Sequence, residues 1–348
     1  MKYLATITLL LISIIDIFTA RAQENHLKNI TQLTRGGDNA EAYFSPNGEQ
    51  LCFQSNNKNW GVQCDQIFKM EIDKAIQDTN YFPKMVSNGA GRTTCSYYMP
   101  DGIEILYAST QLGGSECPKE THIPGKYLWS IHNTYDIFVT SKVGNTKIQL
   151  TNQNGYDAEA TVSPKGDKIV FTSDRSGDLE LWIMDIDGQN QKQLTHDLGY
   201  DGGAFFSPDG KKLVYRASRP KTEDEKKEYK SLLRQGLVAP TNMEIYVCDI
   251  DGSNSKQITN LGKANWAPFF HPSGKKIIFS SNHKSQKGFD FQLYLINLDG
   301  TGLEQITTQS IFNAFPMFSP DGKKLVFSSN RNNHGTKDTN LFIADWVE

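Results

Sequence analysis

One short phrase returns six times along the chain, and that repetition limits the fold more than any other feature. Phe44-Ser-Pro-Asn-Gly48, Phe206-Ser-Pro-Asp-Gly210 and Phe318-Ser-Pro-Asp-Gly322 are nearly the same. Val162-Ser-Pro-Lys-Gly166 and Phe270-His-Pro-Ser-Gly274 are variants, and Met99-Pro-Asp-Gly102 is a shorter one. Pro at the second position and Gly at the fourth are what a type I turn favours, so each phrase reads as a tight connection between two strands. An apolar, β-branched run follows each turn, as in Lys168-Ile-Val-Phe-Thr-Ser173 and Lys324-Leu-Val-Phe-Ser-Ser329. A second run ends in Asp187-Gly188, Asp251-Gly252 or Asp299-Gly300, which are hairpin signals. A short strand carrying Gln-Leu-Thr or Gln-Ile-Thr closes the unit, at Gln149, Gln193, Gln257 and Gln305. Four strands in about 45 to 65 residues make one propeller blade. The middle strands are apolar on both sides, as stacked blades require.

The ends are out of phase, which turns the array into a ring. Gln32-Leu33-Thr34 is a fourth-type strand that precedes the first innermost one, and the chain stops at the third-type strand Leu341-Phe-Ile-Ala-Asp-Trp346. The expectation is therefore an all-β, six-bladed propeller of four-stranded antiparallel blades. An amino-terminal strand completes the last blade and so removes exposed edges.

Residues 1–22 are set apart from this fold. Lys2 opens the chain, an apolar run extends from Leu4 to Phe18, and Ala20-Arg21-Ala22 has the small-x-small form of a signal-peptidase site. The run is shorter than the roughly 20 residues that span a bilayer. The expectation is an exported protein, periplasmic or secreted, without stable membrane insertion, its propeller covering residues 27–348. A net charge of −3 argues against nucleic acid, because phosphate binding needs a basic face.

The run Ser173-Asp-Arg-Ser-Gly-Asp-Leu-Glu-Leu-Trp-Ile-Met-Asp-Ile-Asp-Gly188, with the Ser-Pro turn before it, resembles the WD-like propeller repeat of the TolB family. The resemblance covers the propeller portion and not the separate α/β domain that TolB carries ahead of it. It implies a periplasmic protein that docks partner proteins, a peptidoglycan-associated lipoprotein among them.

Strand order assigns loops to faces. The Ser-Pro and Asp-Gly turns lie together on one face, which reads as scaffold. The other face receives the irregular excursions, the largest being residues 111–133 in blade 2 and 219–242 in blade 4. Loops that decorate one side of a rigid frame are where binding usually sits. The Lys-rich stretch Lys221 to Lys230 also contains Glu223, Asp224, Glu225 and Glu228, and reads as a solvated helix.

Two columns reach that face when the blades are aligned. Asn39, Thr93, Asp157, Asp201, Asn265 and Asn313 begin the innermost strands. They read either as a ring at the channel mouth, able to hold Ca²⁺ or a cationic peptide group, or as caps for nearby backbone. Asn57, Gln111, Arg175, Arg219, His283 and Arg331 follow the second strands. The arginines read as partners for acidic groups of a ligand, or as braces to the neighbouring blade through the first column. Trp60, Tyr127, Trp129 and Tyr135 supply aromatic anchors in the loops.

Five cysteines cannot all pair within one chain. Cys52 and Cys248 fall at core positions, and Cys64, Cys95 and Cys117 map near the insertion face, where one disulfide among the three is expected. No hydrolase elbow, zinc-protease motif or phosphate loop occurs. The expected function is thus a monomeric, non-enzymatic binding module for an envelope protein or peptide. The alternative is a channel-centred, metal-assisted lyase or hydrolase on acidic saccharides, which would use the loop histidines His122, His132, His283 and His334.

Overall fold

The computed structural model describes residues 24–140 and 147–348. The segment read as a signal peptide, residues 1–22, lies outside the described residues.

Six four-stranded antiparallel sheets form the body. Their innermost strands are Asn39–Phe44, Thr93–Tyr98, Asp157–Val162, Asp201–Phe206, Asn265–Phe270 and Asn313–Phe318. These strands neighbour one another in chain order, and the sixth returns to the first. The ring is closed as the sequence requires. Leu27–Gln32 pairs antiparallel with Asn340–Trp346, placing Leu27 opposite Trp346 and Gln32 opposite Phe342. Leu33 N–H continues the ladder by donating to Leu341 at 2.8 Å. Pairing the two ends of the chain in one sheet leaves no open first or last blade.

Both repeated phrases have a structural reason. In the Ser-Pro turns, the Ser207 hydroxyl donates to Asp209 at 2.6 Å and accepts the Lys212 N–H at 2.9 Å, and Ser319 does the same with Asp321 and Lys324. The turn glycine then takes a left-handed conformation, φ +71° at both Gly210 and Gly322, which favours glycine there. In the Gln-x-Thr phrase, each Thr hydroxyl accepts the N–H of the neighbouring third strand, as Leu181 to Thr195 at 2.9 Å and Leu293 to Thr307 at 2.8 Å. The Gln amide folds back onto the Thr carbonyl, at 2.7 Å from Gln193 and 2.8 Å from Gln305.

Between blades the core is apolar. The second strands contribute one aromatic each: Phe53, Tyr107, Phe171, Tyr215, Phe279 and Phe327, all fully buried. Burying such side chains stabilises the fold by about 1.5–3 kcal/mol apiece. Cys52 and Cys248 lie in this core, as their alignment implies.

The two large insertions are tied down. Trp129–Ser130 of the blade 2 excursion pairs with Leu237–Val238 of the blade 4 excursion, making a two-stranded strap across the insertion face. Cys64 and Cys117 form a disulfide that fastens the blade 2 excursion to blade 1. The charged stretch in blade 4 is the helix Glu223–Leu233, started by a Thr222–Glu225 capping box. It is less solvated than its composition suggests, because Tyr229 and Leu232 are buried. Tyr229 also donates a hydrogen bond to Asp178 of blade 3.

Candidate binding funnel

A blade turns its two faces toward its neighbours and only the edge of its innermost strand toward the channel. Side chains on a regular innermost strand therefore point into the seams between blades. The first column behaves this way. Asn39, Asp201, Asn265 and Asn313 are fully buried, and Asp157 nearly so. Each bridges its own blade to the preceding one or to its own loop. Asn265 donates to Met243 O at 2.8 Å and Glu244 at 3.1 Å, and accepts from Ser281 at 2.7 Å. Asn313 donates to Gln292 at 2.9 Å, Asn39 donates to Asn340 at 3.3 Å, and both accept a serine hydroxyl. Their oxygens are engaged within the protein as backbone caps and seam bridges, the second of the two readings of this column, and not as a ring of open ligands at the mouth.

The arginine column braces, but along a different line from the one expected. Arg175 Nη2 meets Asp157 at 2.6 Å, and Arg219 grips both oxygens of Asp201 at 2.5 and 3.1 Å. Both pairs lie within one blade, and do not reach across to the next, because the loop after the second strand starts beside the head of the innermost strand. Arg331 Nη2 reaches Asn313 at 3.0 Å and also pairs with buried Glu24 at 3.2 Å, locking the amino-terminal segment onto blade 6.

The channel is lined by a column that sequence alignment passed over. All six innermost strands lose register between their second and fifth residues. The third residue of each takes a positive φ of 46–59°: Glu41, Cys95, Glu159, Gly203, Ala267 and Phe315. A bulge rotates one residue out of the alternating pattern, and here that residue leaves the seam for the channel. Glu159 is fully engaged there. Its oxygens accept from Thr172 at 2.8 Å, Gly203 N–H at 2.8 Å and Tyr200 at 2.5 Å, and pair with Arg216. Gly202 and Gly203 make this cluster possible: a Cβ at 203 would stand 2.0 Å from Arg216 Nη1, and one at 202 would stand 2.4 Å from Glu159 Oε2. Two glycines inside a strand were the available signal, since they mark close approach of other groups. Glu41 is less well served. Burial pushes its carboxyl up to about 7, against a hydrogen bond from the Cys95 thiol, and its Oε2 is buried without a partner.

Above this ring, a funnel of about 700 Å³ opens on the insertion face. Tyr127, Trp129 and Tyr135, all singled out from sequence, line it. Trp129 packs on Trp266 at 5.2 Å and donates its indole N–H to Tyr127 at 3.1 Å, and Tyr127 stacks on Trp266 at 6.1 Å. The Arg216 guanidinium lies 5.1 Å from the Trp129 ring. Trp60 is elsewhere: it packs in blade 1 against Phe68 at 5.0 Å and Phe82 at 5.9 Å. On the rim, Arg92 bridges Asp65 at 3.4 Å and Glu120 at 2.7 Å. The Ser130 hydroxyl and His132 also meet Glu120, and its carboxyl is held down to about 2, chiefly by His132 and despite burial.

The histidines do not converge. His122 and His132 line the funnel, whereas His283 lies against Tyr294 at 4.5 Å in blade 5 and His334 is in a blade 6 loop. Among the described residues no group of three or more His, Cys, Asp or Glu is arranged to hold a metal ion. Cys95, the third cysteine of the insertion-face group, is a free thiol in the channel. The six turn prolines, with Phe44, Tyr98 and Phe270 among others, surround an open basin of about 410 Å³.

Comparison with known proteins agrees with this architecture. The TolB beta propeller domain family matches residues 128–223 and 238–337. A protein described as "putative TolB" from Agrobacterium tumefaciens superposes with a TM-score of 0.57 at 19% identity, covering 92% of this chain and 97% of that one. TolB from Acinetobacter baumannii gives 0.55 at 18% identity, covering 89% of this chain and 64% of that one. An oligogalacturonate lyase in complex with manganese gives 0.51 at 14% identity, covering 92% and 93%. Identities this low establish a shared fold.

Proposed function

The chain belongs to the TolB β-propeller domain family, and on that premise we propose that it is an exported binding propeller whose funnel receives a segment of an envelope protein or peptide. The observation that carries the reading is the funnel itself. It is concave, roofed by the Tyr127–Trp129–Trp266 stack, and large enough for a few residues of an extended chain. Rigid aromatic side chains in a preformed hollow are the usual anchors of an interface, because they bury much surface at small entropic cost. The strap and the Cys64–Cys117 disulfide hold that roof before any partner arrives. Family membership supports the same reading, and the apolar amino-terminal run Leu4 to Phe18, read as a signal peptide, supports a periplasmic or extracellular site of action.

The alternative, a lyase or hydrolase on acidic saccharides, fits the funnel less well. Five carboxylates line it (Asp38, Glu41, Asp65, Glu120 and Glu159) against two arginines, Arg92 and Arg216. That balance repels a polyanion. Cross-linked pull-down from an envelope fraction tests the proposal. The intact protein is expected to enrich a defined partner, and Trp129→Ala to lower the yield at least tenfold. Equal capture by the Trp129→Ala protein would overturn it.

A further inference from the structure

The funnel is built to be completed by something. Of the buried polar side-chain atoms without a hydrogen-bond partner among the described residues, three belong to its walls or to the constriction below: Glu41 Oε2, Arg92 Nε and Arg216 Nε. Native proteins leave few such atoms, and a cluster of them facing one hollow takes its partners from outside the fold, from solvent or from a ligand. Glu41 is the one among them that carries an unbalanced charge. Glu159, the other carboxylate of the bulged ring, has Arg216, Tyr200, Thr172 and a backbone N–H. Glu41 has the Cys95 thiol on one side, while Phe315, Arg216 and Glu159 line the constriction with it. It also belongs to both the funnel and the constriction, so it forms the funnel floor.

We propose that Glu41 is the anchor for a single cationic group, the ammonium or guanidinium of a Lys or Arg side chain, inserted down the funnel. The aromatic wall suits the rest of such a side chain. A methylene stem packs against Trp129, Trp266 and Phe315, and rings within about 6 Å also favour a cation electrostatically. The floor carboxylate accepts the charge-assisted hydrogen bond that its Oε2 lacks. The inference names the ligand chemistry of the proposed funnel and rests on that reading of the site.

Two small probes that differ by the terminal ammonium group test it: Nα-acetyl-lysine amide and Nα-acetyl-norleucine amide, titrated into the mature protein at pH 8 with tryptophan fluorescence as readout. The lysine probe is expected to bind at least tenfold more tightly. Glu41→Gln should abolish the difference while leaving the norleucine affinity unchanged, and Glu41→Asp should keep a reduced preference for lysine. Thermal unfolding of both variants confirms that they fold. Equal affinity for the two probes in the intact protein, or a lysine preference that survives Glu41→Gln, overturns the assignment. The pull-down separates this failure from failure of the broader reading. Partner capture that depends on Trp129 but shows no lysine preference sinks the anchor alone. A lysine preference that depends on Glu41, with no protein captured, keeps the anchor and sinks the protein partner.

Discussion

Replacing Glu180 by Gln should change how stability depends on pH, and the reason lies in one of the six seams. At the seams between blades 4 and 5, 5 and 6, and 6 and 1, the first residue of a third strand hydrogen-bonds the first residue of the next blade's innermost strand. Between blades 5 and 6 the pair is amide to amide: Gln292 accepts from Asn313 at 2.9 Å and from Thr307 at 2.8 Å. Between blades 3 and 4 the same positions hold two buried acids, Glu180 and Asp201, with Thr195 donating to Glu180 at 2.6 Å and Arg219 gripping Asp201. Arg219 neutralises one carboxylate, not two. Burial, and after it the charge of Asp201, pushes the Glu180 carboxyl well above the ordinary range. Folded Glu180 then keeps a proton that the unfolded chain releases near pH 4.5. Its contribution to stability is complete below that pH and is lost as pH rises through the raised folded value. A tenfold difference in proton affinity between the folded and unfolded chain is worth about 1.4 kcal/mol, so the loss by pH 9 is on the order of 2 kcal/mol. Glutamine mimics the protonated acid, accepting from Thr195 and donating to Asp201. Urea unfolding of both proteins between pH 4 and pH 9 measures this. The two should be nearly equal at pH 4, with the Glu180→Gln protein more stable by on the order of 2 kcal/mol at pH 9. A stability difference that does not change with pH would refute the reasoning.

Three further outcomes follow from the same structure. Arg331→Met leaves Glu24 buried without its cation and should cost about 3 kcal/mol, read as a lowered unfolding midpoint; an unchanged midpoint means the amino-terminal brace contributes nothing. Reducing Cys64–Cys117 opens a span of 53 residues and should cost up to about 4 kcal/mol of chain entropy, with residues 112–132 becoming the first site of proteolytic cutting. Unaltered cutting under reductant contradicts this. Binding of the lysine probe should strengthen from pH 6 to pH 8, because Glu41 titrates at about 7 and only its ionised form attracts the cation. Glu41→Gln should flatten that profile, although Cys95, Asp65, Glu159 and Arg216 still face the same space.

The sequence carried the ring because every blade must repeat the same local solution. The Ser-Pro turns fix one end of each hairpin, the Gln-x-Thr strands fix the other, and Gln32-Leu33-Thr34 stands where the missing last strand is needed. Tyr127, Trp129 and Tyr135 were legible as site residues because the insertions that bear them had to emerge on one face. Trp60 lay in a comparable loop, yet its short 3₁₀ turn folds it back onto Phe53 and Phe68. The channel lining was misread for a backbone reason. Alternation points the first residue of each innermost strand into the seam, where Asp157 and Asn265 cap and bridge. The bulge at the third residue then brings Glu41 and Glu159 into the channel instead. Apolar periodicity does not reveal a bulge. The Gly202-Gly203 pair alone hinted at one, and its purpose depends on Arg216, which lies on another strand.

A photoreactive phenylalanine analogue placed at exposed Tyr127, over the funnel, and separately at exposed Lys165, on the turn face, tests most directly which side of the ring engages the partner. Cross-links to a defined envelope protein from position 127 and none from position 165 are the predicted result. Cross-links from position 165 alone would place the partner at the proline basin and contradict the account.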